Sequence, residues 1–309
     1  MNLDELAASL YVFERTDLSP FQRRARVLQS LWRHEQGIPP GEHKDRPLGS
    51  RLPMPWAEES LANFLTDSIR NVVRAQVCDP AASAGKLYGK PRIFNDLLSS
   101  QPLCFNLFGE LTSDLDLASA VITDLTHRRF NKVSGIEFEL LPGRRDPHYL
   151  NDRSAFDVFI RCRNAAGELC FIGIEVKYHE NLVGAASEHK VRYDEVANLM
   201  GCFRDDRSPL KSSPLQQVWR DHLLAGITRI QDAYGDGLFV TLYPKDNAHV
   251  SHALREYRAQ LTNEDSFASW TLEEFVESLR RFSDAAWIDA FWDRYLAFEK
   301  IDRQLDAAD

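Results

Sequence analysis

The segment FIGIEVKYHE (residues 171–180) decides how the middle of the chain is interpreted. Its first four residues are apolar enough for a buried strand, yet Glu175 and Lys177 follow within the same run. Charged side chains are rare in buried strands unless they are paired, bind a metal or take part in chemistry. Residues two apart on a strand project from the same face, so these two side chains are predicted to be neighbours.

The segments on either side of it predict a mixed sheet with helices. Runs with strand character precede and follow a helical stretch, in the order VSGIEFELL (133–141), SAFDVFIRC (154–162), LCFIGIEVKY (169–178) and, after the helix, GLFVTLYP (237–244). The helix is clearest at PLQQVWRDHLLAGITRIQDAY (214–234), and another helical stretch, at 101–130, comes before the first strand. Asn164–Gly167 has the composition of a hairpin turn, which makes the second and third strands antiparallel neighbours.

This strand pairing places a second carboxylate near Glu175. Asp157 stands among apolar residues on the second strand, where it can lie close to Glu175 on the third. Two carboxylates held together repel each other unless a cation or a proton joins them. Oxygen ligands suit Mg²⁺, which keeps several waters and also contacts substrate phosphates. Lys177 is then positioned to orient or deprotonate a nucleophile, or to stabilise developing negative charge.

The order of these elements, with Asp157 followed by Glu175-Val176-Lys177, resembles the PD-(D/E)XK nuclease superfamily over about residues 100–245, in particular its bacterial restriction endonucleases. The resemblance implies an α/β (α+β) fold, with a restriction-endonuclease-like αβββαβ core, a mixed central sheet and flanking N- and C-terminal helices. It also implies metal-dependent hydrolysis of phosphodiester bonds, with Mg²⁺ as the cofactor and Mn²⁺ as a substitute. The proline of the family name is absent, since Phe156 precedes Asp157.

The resemblance also assigns roles to individual residues. Asp157 and Glu175 would hold the metal, and Lys177 would assist the attacking water. Many members add a glutamate from the helix before the first core strand, and Glu110 is the best match for this third metal ligand. Many members also place a glutamine or basic residue on the helix after the third strand, so Gln217 is expected at the catalytic site and Gln216 and Arg220 at the substrate. Independently of the resemblance, Arg144 and Arg145 lie in the loop before the second strand, which is expected to bring them to substrate phosphates.

A structural alternative competes with this site. Glu175 and Lys177 could form a salt bridge on an edge strand, with Asp157 in a turn, although the flanking runs FIGI and AFDVFI do not favour it. Glu137 and Glu139 could contribute another ligand, but alternating acids on an amphipathic strand usually form its solvated face. A non-catalytic nucleic-acid-binding module and a hydrolase of another phosphate ester are the alternative functions, and the absence of GxxxxGK[ST] and GxGxxG argues against nucleotide-driven work.

Composition limits where such a protein works. The net charge of −9 argues against a protein that coats nucleic acid through its whole surface. The acidic N-terminal segment and the lack of a long apolar run predict neither export nor a membrane span, and five cysteines without a CxxC pair indicate reduced thiols in the cytoplasm. The expected partner is nucleic acid, with DNA favoured, and a homodimer would fit a duplex cutter.

The remaining regions are predicted to be helical. Residues 1–95 form an N-terminal helical region around a Pro- and Gly-rich loop at 36–55, residues 96–250 form the nuclease-like core, and residues 251–309 pack on it as C-terminal helices. Ser19-Pro20 and the capping box Thr271–Glu274 mark two helix starts, and Ser113 is a candidate cap for a third.

Overall fold

The computed structural model describes residues 2–13 and 17–306. The helices are α1 (Leu3–Ser9), α2 (Pro20–Glu35), α3 (Trp56–Ser60), α4 (Asp67–Val73), α5 (Arg92–Asn95), α6 (Ser100–Phe108), α7 (Leu115–Leu125), α8 (Val191–Met200), α9 (Leu215–Gln231), α10 (Ala248–Arg258), α11 (Leu272–Phe282), α12 (Ala286–Tyr295) and α13 (Glu299–Asp306). The strands are β1 (Gly41–His43), β2 (Arg46–Leu48), β3 (Lys132–Leu140), β4 (Phe156–Arg163), β5 (Leu169–Val176), β6 (Asp236–Tyr243) and β7 (Phe267–Thr271). Within these ranges, no helix combines the length and hydrophobicity needed to span a bilayer.

The chain divides into two compact units. The first contains residues up to Ala84, Tyr88–Glu110 and the residues from Asp284 onward, and the second contains Gly85–Leu87 and Leu111–Ser283. The first unit is helical apart from β1 and β2, which pair as a short antiparallel hairpin inside the segment predicted to be a loop. The second unit holds the large sheet and every strand of the predicted core.

Helix α2 of the first unit begins where the sequence predicts. The Ser19 hydroxyl accepts a hydrogen bond from the backbone N–H of Gln22 at 3.2 Å, and Pro20 occupies the first helical position. The core of this unit also contains a fully buried cation, because the Arg294 guanidinium stacks 4.2 Å from the Trp32 ring centroid and donates to the Asn63 carbonyl at 2.7 Å. These contacts compensate the buried charge of Arg294.

The second unit is built on a five-stranded mixed sheet in the order β3-β4-β5-β6-β7. Strands β3, β4 and β5 are antiparallel neighbours, whereas β6 and β7 continue the sheet in parallel with β5. The Asn164–Gly167 turn joins β4 to β5, with Gly167 in the left-handed region at φ 81°. The predicted αβββαβ order and mixed sheet are therefore confirmed, and β5 is the central strand.

Two details differ from the sequence-based expectation. The C-terminal region was expected to be helical, but β7 adds a fifth strand beside β6 before the capping box at Thr271. The cap of α7 is Asp114 rather than Ser113, and its carboxylate accepts from the backbone N–H of Leu117 at 2.9 Å. The capping box itself is confirmed, since Glu274 and Thr271 exchange hydrogen bonds of 2.7 and 3.1 Å.

Helix α9 covers one face of the sheet and thereby positions the site. Trp219 and Leu223 belong to the same buried cluster as Phe159, Phe171 and Phe239, which line that face of β4, β5 and β6. Burial of apolar surface holds such a helix on the sheet and contributes roughly 25 cal/mol of stabilisation per Å² buried. Its N-terminal half is held above the end of β5, where the sequence changes from FIGI to EVK.

Candidate active site

Strands β4 and β5 place two carboxylates at the same level of the sheet. Val158 pairs with Ile174 in the antiparallel register, so Asp157 lies opposite Glu175. Lys177 directly follows β5, and its backbone N–H donates to the Leu242 carbonyl of β6 at 2.8 Å. Directly opposed residues on neighbouring strands have Cβ atoms about 5 Å apart. The predicted juxtaposition is thus present in the fold.

The structural alternative is contradicted in its placement of these residues. The salt bridge does form, with Lys177 Nζ 2.7 Å from Glu175 Oε1, but it lies on the central strand rather than at an edge. Asp157 lies inside β4 and not in a turn. Both members of the salt bridge are nearly buried, with side-chain exposures of 9% for Lys177 and 13% for Glu175. An ion pair at such a depth is a weak source of stability.

Hydrogen bonds fix the orientation of all three side chains. Glu175 Oε1 accepts from Lys177 Nζ and, at 2.9 Å, from the Gln217 side-chain amide on α9. Asp157 Oδ2 accepts from the backbone N–H of Val176 at 2.7 Å, which ties the carboxylate of β4 to the end of β5. Gln217 was predicted as a catalytic-site residue, and the structure brings it to Glu175.

The electrostatics of the cluster favour a cation. Burial, followed by the charges of Glu175 and Glu139, raises the pKa of Asp157 well above its ordinary value. Burial alone lowers the pKa of Lys177, but the neighbouring carboxylates, Glu175 first, outweigh it and raise the pKa above its usual range. The cluster therefore holds Lys177 as an ammonium and resists placing full negative charge on Asp157.

A third carboxylate sits beside this pair. Pairing of Phe138 with Val158 and of Leu140 with Phe156 puts Glu139 level with Asp157 on the next strand. Glu139 is only 6% exposed and has a left-handed backbone, with φ 50°. A non-glycine residue in that region is strained by roughly 1–3 kcal/mol, and such strain clusters at functional sites.

The neighbouring acid on the same strand has a different environment. Glu137 forms a salt bridge with Arg161 of β4 near the surface. The two glutamates of the segment EFE look equivalent in the sequence, where alternation suggests a solvated face for both. Only the structure distinguishes them, because the positive φ at Glu139 breaks the regular alternation of the strand.

Two further polar side chains are buried against the same part of the sheet. Asp221, one turn after Gln217 on α9, is 6% exposed, and its Oδ2 atom has no hydrogen-bond partner. Burial, followed by the charge of Glu175, raises the pKa of Asp221 well above its ordinary value. Thr241 pairs with Glu175 in the parallel register, is 1% exposed and likewise has an unpartnered Oγ1. No local sequence pattern predicts either residue, because their burial depends on the packing of α9 and β6.

A comparison with protein-family models identifies the fold that carries this cluster. A model described as the PD-(D/E)XK nuclease superfamily matches residues 15–297, which is most of the chain. The chain belongs to the PD-(D/E)XK nuclease superfamily. Comparisons with curated proteins and with solved structures gave no significant match. The superfamily assignment thus rests on nearly the full length of the sequence and agrees with the mixed five-stranded sheet.

Glu110 is the residue that the sequence predicts as a third metal ligand. Glu110 lies in a 3₁₀ turn, Glu110–Thr112, between α6 and α7, and belongs to the first unit. Its carboxylate accepts a hydrogen bond from the Thr66 hydroxyl in that unit. Its role toward a metal stays a prediction, whereas Glu139 shares the sheet with Asp157 and Glu175.

The predicted substrate-binding residues lie around a loop that joins β3 to β4. Arg144 donates to the Gly85 carbonyl, and the backbone N–H of Arg145 donates to the Asp152 carbonyl at 2.9 Å. Arg220 of α9 donates to Asp152 Oδ2 at 3.1 Å and so faces the same loop. The roles of all three toward a substrate remain predictions.

Gln216 is used differently from its neighbour on α9. It is 2% exposed, and its side-chain amide exchanges two hydrogen bonds of 2.6 Å with the backbone of Ser187. Those bonds fasten the segment between β5 and α8 onto α9. The expected contact of Gln216 with substrate is untested, but its described bonds hold this segment.

The donor set suits a hard divalent cation of the kind that nucleases of this superfamily typically use. Across residues 2–13 and 17–306, no three acidic, histidine or cysteine side chains converge closely enough to hold a metal by themselves. Asp157 and Glu175 still offer paired carboxylate oxygens with an excess of buried acid around them. Mg²⁺ usually takes only one or two protein carboxylates and fills its other positions with water and substrate oxygens.

Proposed function

We propose that this superfamily member is a Mg²⁺-dependent endonuclease that hydrolyses phosphodiester bonds in DNA, in restriction, defence or repair. The observation that carries the proposal is the convergence of Asp157, Glu175, Lys177 and Gln217 at the end of the central strand. A binding module that had lost catalysis would gain nothing from keeping a strained, poorly compensated charge cluster inside its sheet. We place the activity in the cytoplasm, where the five free thiols stay reduced.

Asp157 and Glu175 would hold the Mg²⁺ ion, with Mn²⁺ as its substitute. When bound, the ion supplies Lewis-acid stabilisation of the charge that develops on the phosphoryl oxygens. The unpartnered Asp221 Oδ2 and the raised pKa of Asp157 support the fit, since both indicate more negative charge than the protein alone compensates. Paired carboxylates on adjacent strands would favour a small, hard cation that prefers oxygen ligands.

The remaining side chains orient the reaction. Lys177 holds a proton at Nζ beside the carboxylates, where an ammonium can orient the attacking water and stabilise charge on the phosphate. Gln217 fixes the Glu175 carboxylate from the opposite side through its amide. Helix α9 and the buried aromatic cluster beneath it exclude water from the sheet face, which strengthens every one of these interactions.

The direct experiment compares substrates, metals and one variant. Purified protein is incubated with supercoiled plasmid, linear duplex, single-stranded DNA and RNA, in Mg²⁺, Mn²⁺ or EDTA. We expect cleavage of DNA with either metal and none with EDTA. Lys177→Ala should reduce the rate by roughly 10²–10⁴-fold, the usual contribution of a positioned proton-handling group. Lys132→Ala is the matched control, because Lys132 is exposed at the far end of β3.

The non-catalytic alternative has its own outcome in this experiment. Cleavage that persists in EDTA, or that is unchanged by Lys177→Ala, would refute the assignment. Tight DNA binding without cleavage in any metal would instead support the non-catalytic module. Plasmid conversion to open circles and linear product distinguishes an endonuclease from an enzyme that needs an end, and gel filtration during turnover tests the homodimer.

A further inference from the structure

A separate basic cleft lies in the second unit beside α9. Its volume is about 450 Å³, and four cationic side chains and two carboxylates are among the residues that line it: Arg145, Arg153, Lys190, Arg220, Asp152 and Glu188. This local excess of positive charge is found in a chain whose net charge is −9. Local excess of this kind, against an acidic background, is the electrostatic signature of a site for an anion.

The cleft is a built feature, because its central arginine is held on several sides. Arg220 donates to Asp152 Oδ2 at 3.1 Å, to Ser154 Oγ at 2.9 Å and to Ser187 Oγ at 2.9 Å. Its guanidinium also lies 5.9 Å from the ring centroid of Tyr193, whose hydroxyl donates to Asp152. A fixed guanidinium loses little entropy when it binds a phosphate.

The walls of the cleft are anchored as well. Arg192 of α8 donates to the backbone carbonyls of Tyr149 at 2.7 Å and of His148 at 2.7 Å, which ties the β3–β4 loop to that helix. Lys190 donates to the Asn151 carbonyl in the same loop. The loop and the start of α8 therefore form one surface, on which Arg153 is exposed.

The cleft adjoins the carboxylate site through two elements. On α9, Arg220 follows Gln217 by three residues, so the two lie about one helical turn, roughly 5 Å, apart on one side of the helix. On the other wall, Ser154 precedes Asp157 by three residues at the entrance to β4. Phosphates along one DNA strand repeat about every 3.4 Å of helix axis. One strand can therefore place one phosphate in the cleft and another at the carboxylate site.

We propose that this cleft binds backbone phosphates of the nucleic acid next to the bond that is cleaved, with Arg153 and Lys190 as contact residues alongside Arg145 and Arg220. The inference rests on the proposed function, and it concerns the placement of substrate rather than the chemistry. Arginine and lysine at the mouth of the cleft neutralise phosphates without reading bases, so the contribution is independent of sequence.

The test measures binding without cleavage. Fluorescence anisotropy with labelled duplexes in EDTA gives the dissociation constant over roughly 50–200 mM salt. Arg153→Gln with Lys190→Gln removes two charges from the cleft. The matched control, Arg128→Gln with Lys132→Gln, removes two exposed charges at the opposite end of β3. Circular dichroism and thermal melting confirm that both double variants fold.

We expect the cleft variant to weaken binding and to reduce the slope of log K against log salt by about 1.8, at about 0.9 per lost phosphate contact. The control pair should leave the slope unchanged. An equal loss in both double variants, or no loss in the cleft variant, would overturn the proposal. If only 5′-phosphorylated duplexes show the effect, the cleft holds a strand end and the backbone assignment is wrong.

The proposed function can fail separately. Wild-type protein that binds no nucleic acid at any salt concentration would refute both the function and the cleft. Wild-type protein that binds and cleaves, with a cleft variant of unchanged affinity, would refute the cleft alone.

Discussion

Replacing Asp157 by asparagine should stabilise the metal-free protein while it abolishes metal binding. Asp157 and Glu175 oppose each other on adjacent strands, so their carboxylates lie about 5–6 Å apart. At an effective dielectric constant near 20, two such charges repel by about 3 kcal/mol. Attraction between Asp157 and Lys177 offsets part of this repulsion, which leaves a net gain of about 1–2 kcal/mol for the variant.

The gain should depend on pH in a defined direction. The native pKa of Asp157 is raised above the unfolded value of 3.8, so the folded protein holds this proton more tightly than the unfolded chain does. Below the unfolded pKa, Asp157 is protonated in both states and does not lower the stability of the wild type. The stability then falls as the pH rises through the native pKa. The asparagine variant lacks this loss, so its advantage should be absent below the unfolded pKa and should grow as the pH rises through the native pKa of Asp157. Asparagine can still accept the hydrogen bond from Val176.

The assay is urea unfolding and thermal melting in EDTA, repeated with Mg²⁺. A gain of about 1–2 kcal/mol corresponds to a melting shift of roughly 2–8 °C for a unit of this size. Mg²⁺ at about 100-fold its Kd should add about 2.7 kcal/mol to the wild type and nothing comparable to Asp157→Asn. Asp205→Asn, an exposed residue, controls for net charge. A variant less stable than wild type above the native pKa of Asp157, or one stabilised equally by Mg²⁺, would refute the charge assignment.

Three further predictions test neighbouring residues. Gln217→Met should lower kcat about tenfold or more with little change in KM, since its amide only orients Glu175, and steady-state kinetics measures this split. Glu139→Gln should weaken Mn²⁺ binding in calorimetry, whereas Glu137→Gln, which loses only a surface salt bridge, should not. His222 is neutral in the fold because burial lowers its pKa to about 3, so wild-type stability should fall by about 1.4 kcal/mol per unit as pH drops from ~6 to ~4. His222→Gln should lose most of that slope in urea titrations at each pH.

The sequence predicts most of the sheet because its strands carry strong local signals. Apolar alternation, the Asn164–Gly167 turn and the uninterrupted run before Pro244 each define a strand or a connection. Strand β7 has no such signal, since FASWT is short and its strand character comes from pairing with β6. The β1–β2 hairpin is similar, because three-residue strands inside a Pro- and Gly-rich stretch are indistinguishable from loop. The division into 1–95, 96–250 and 251–309 remains a prediction.

The site was predictable only where a charge interrupts an apolar run. Asp157, Glu175 and Lys177 stand out for that reason, and the register then brings them together. Glu139 lies in an alternating strand, and Asp221 lies on a helix rich in polar residues, so neither contradicts its local pattern. Their burial arises from the sheet and from α9, which are tertiary features. Gln217 was found through the resemblance to a family rather than through any property of the helix.

The charge balance of the cluster also suggests how the free protein and the working enzyme differ. Without metal, Lys177 is the ammonium nearest to Glu175, and the two are held 2.7 Å apart. A divalent ion at Asp157 and Glu175 would supply more positive charge than Lys177 does, so the carboxylate would no longer need the ammonium. Lys177 would then be free to turn toward a substrate phosphate, where its charge is useful in the transition state. Under the proposed function, the salt bridge on the central strand would be the metal-free arrangement of Lys177.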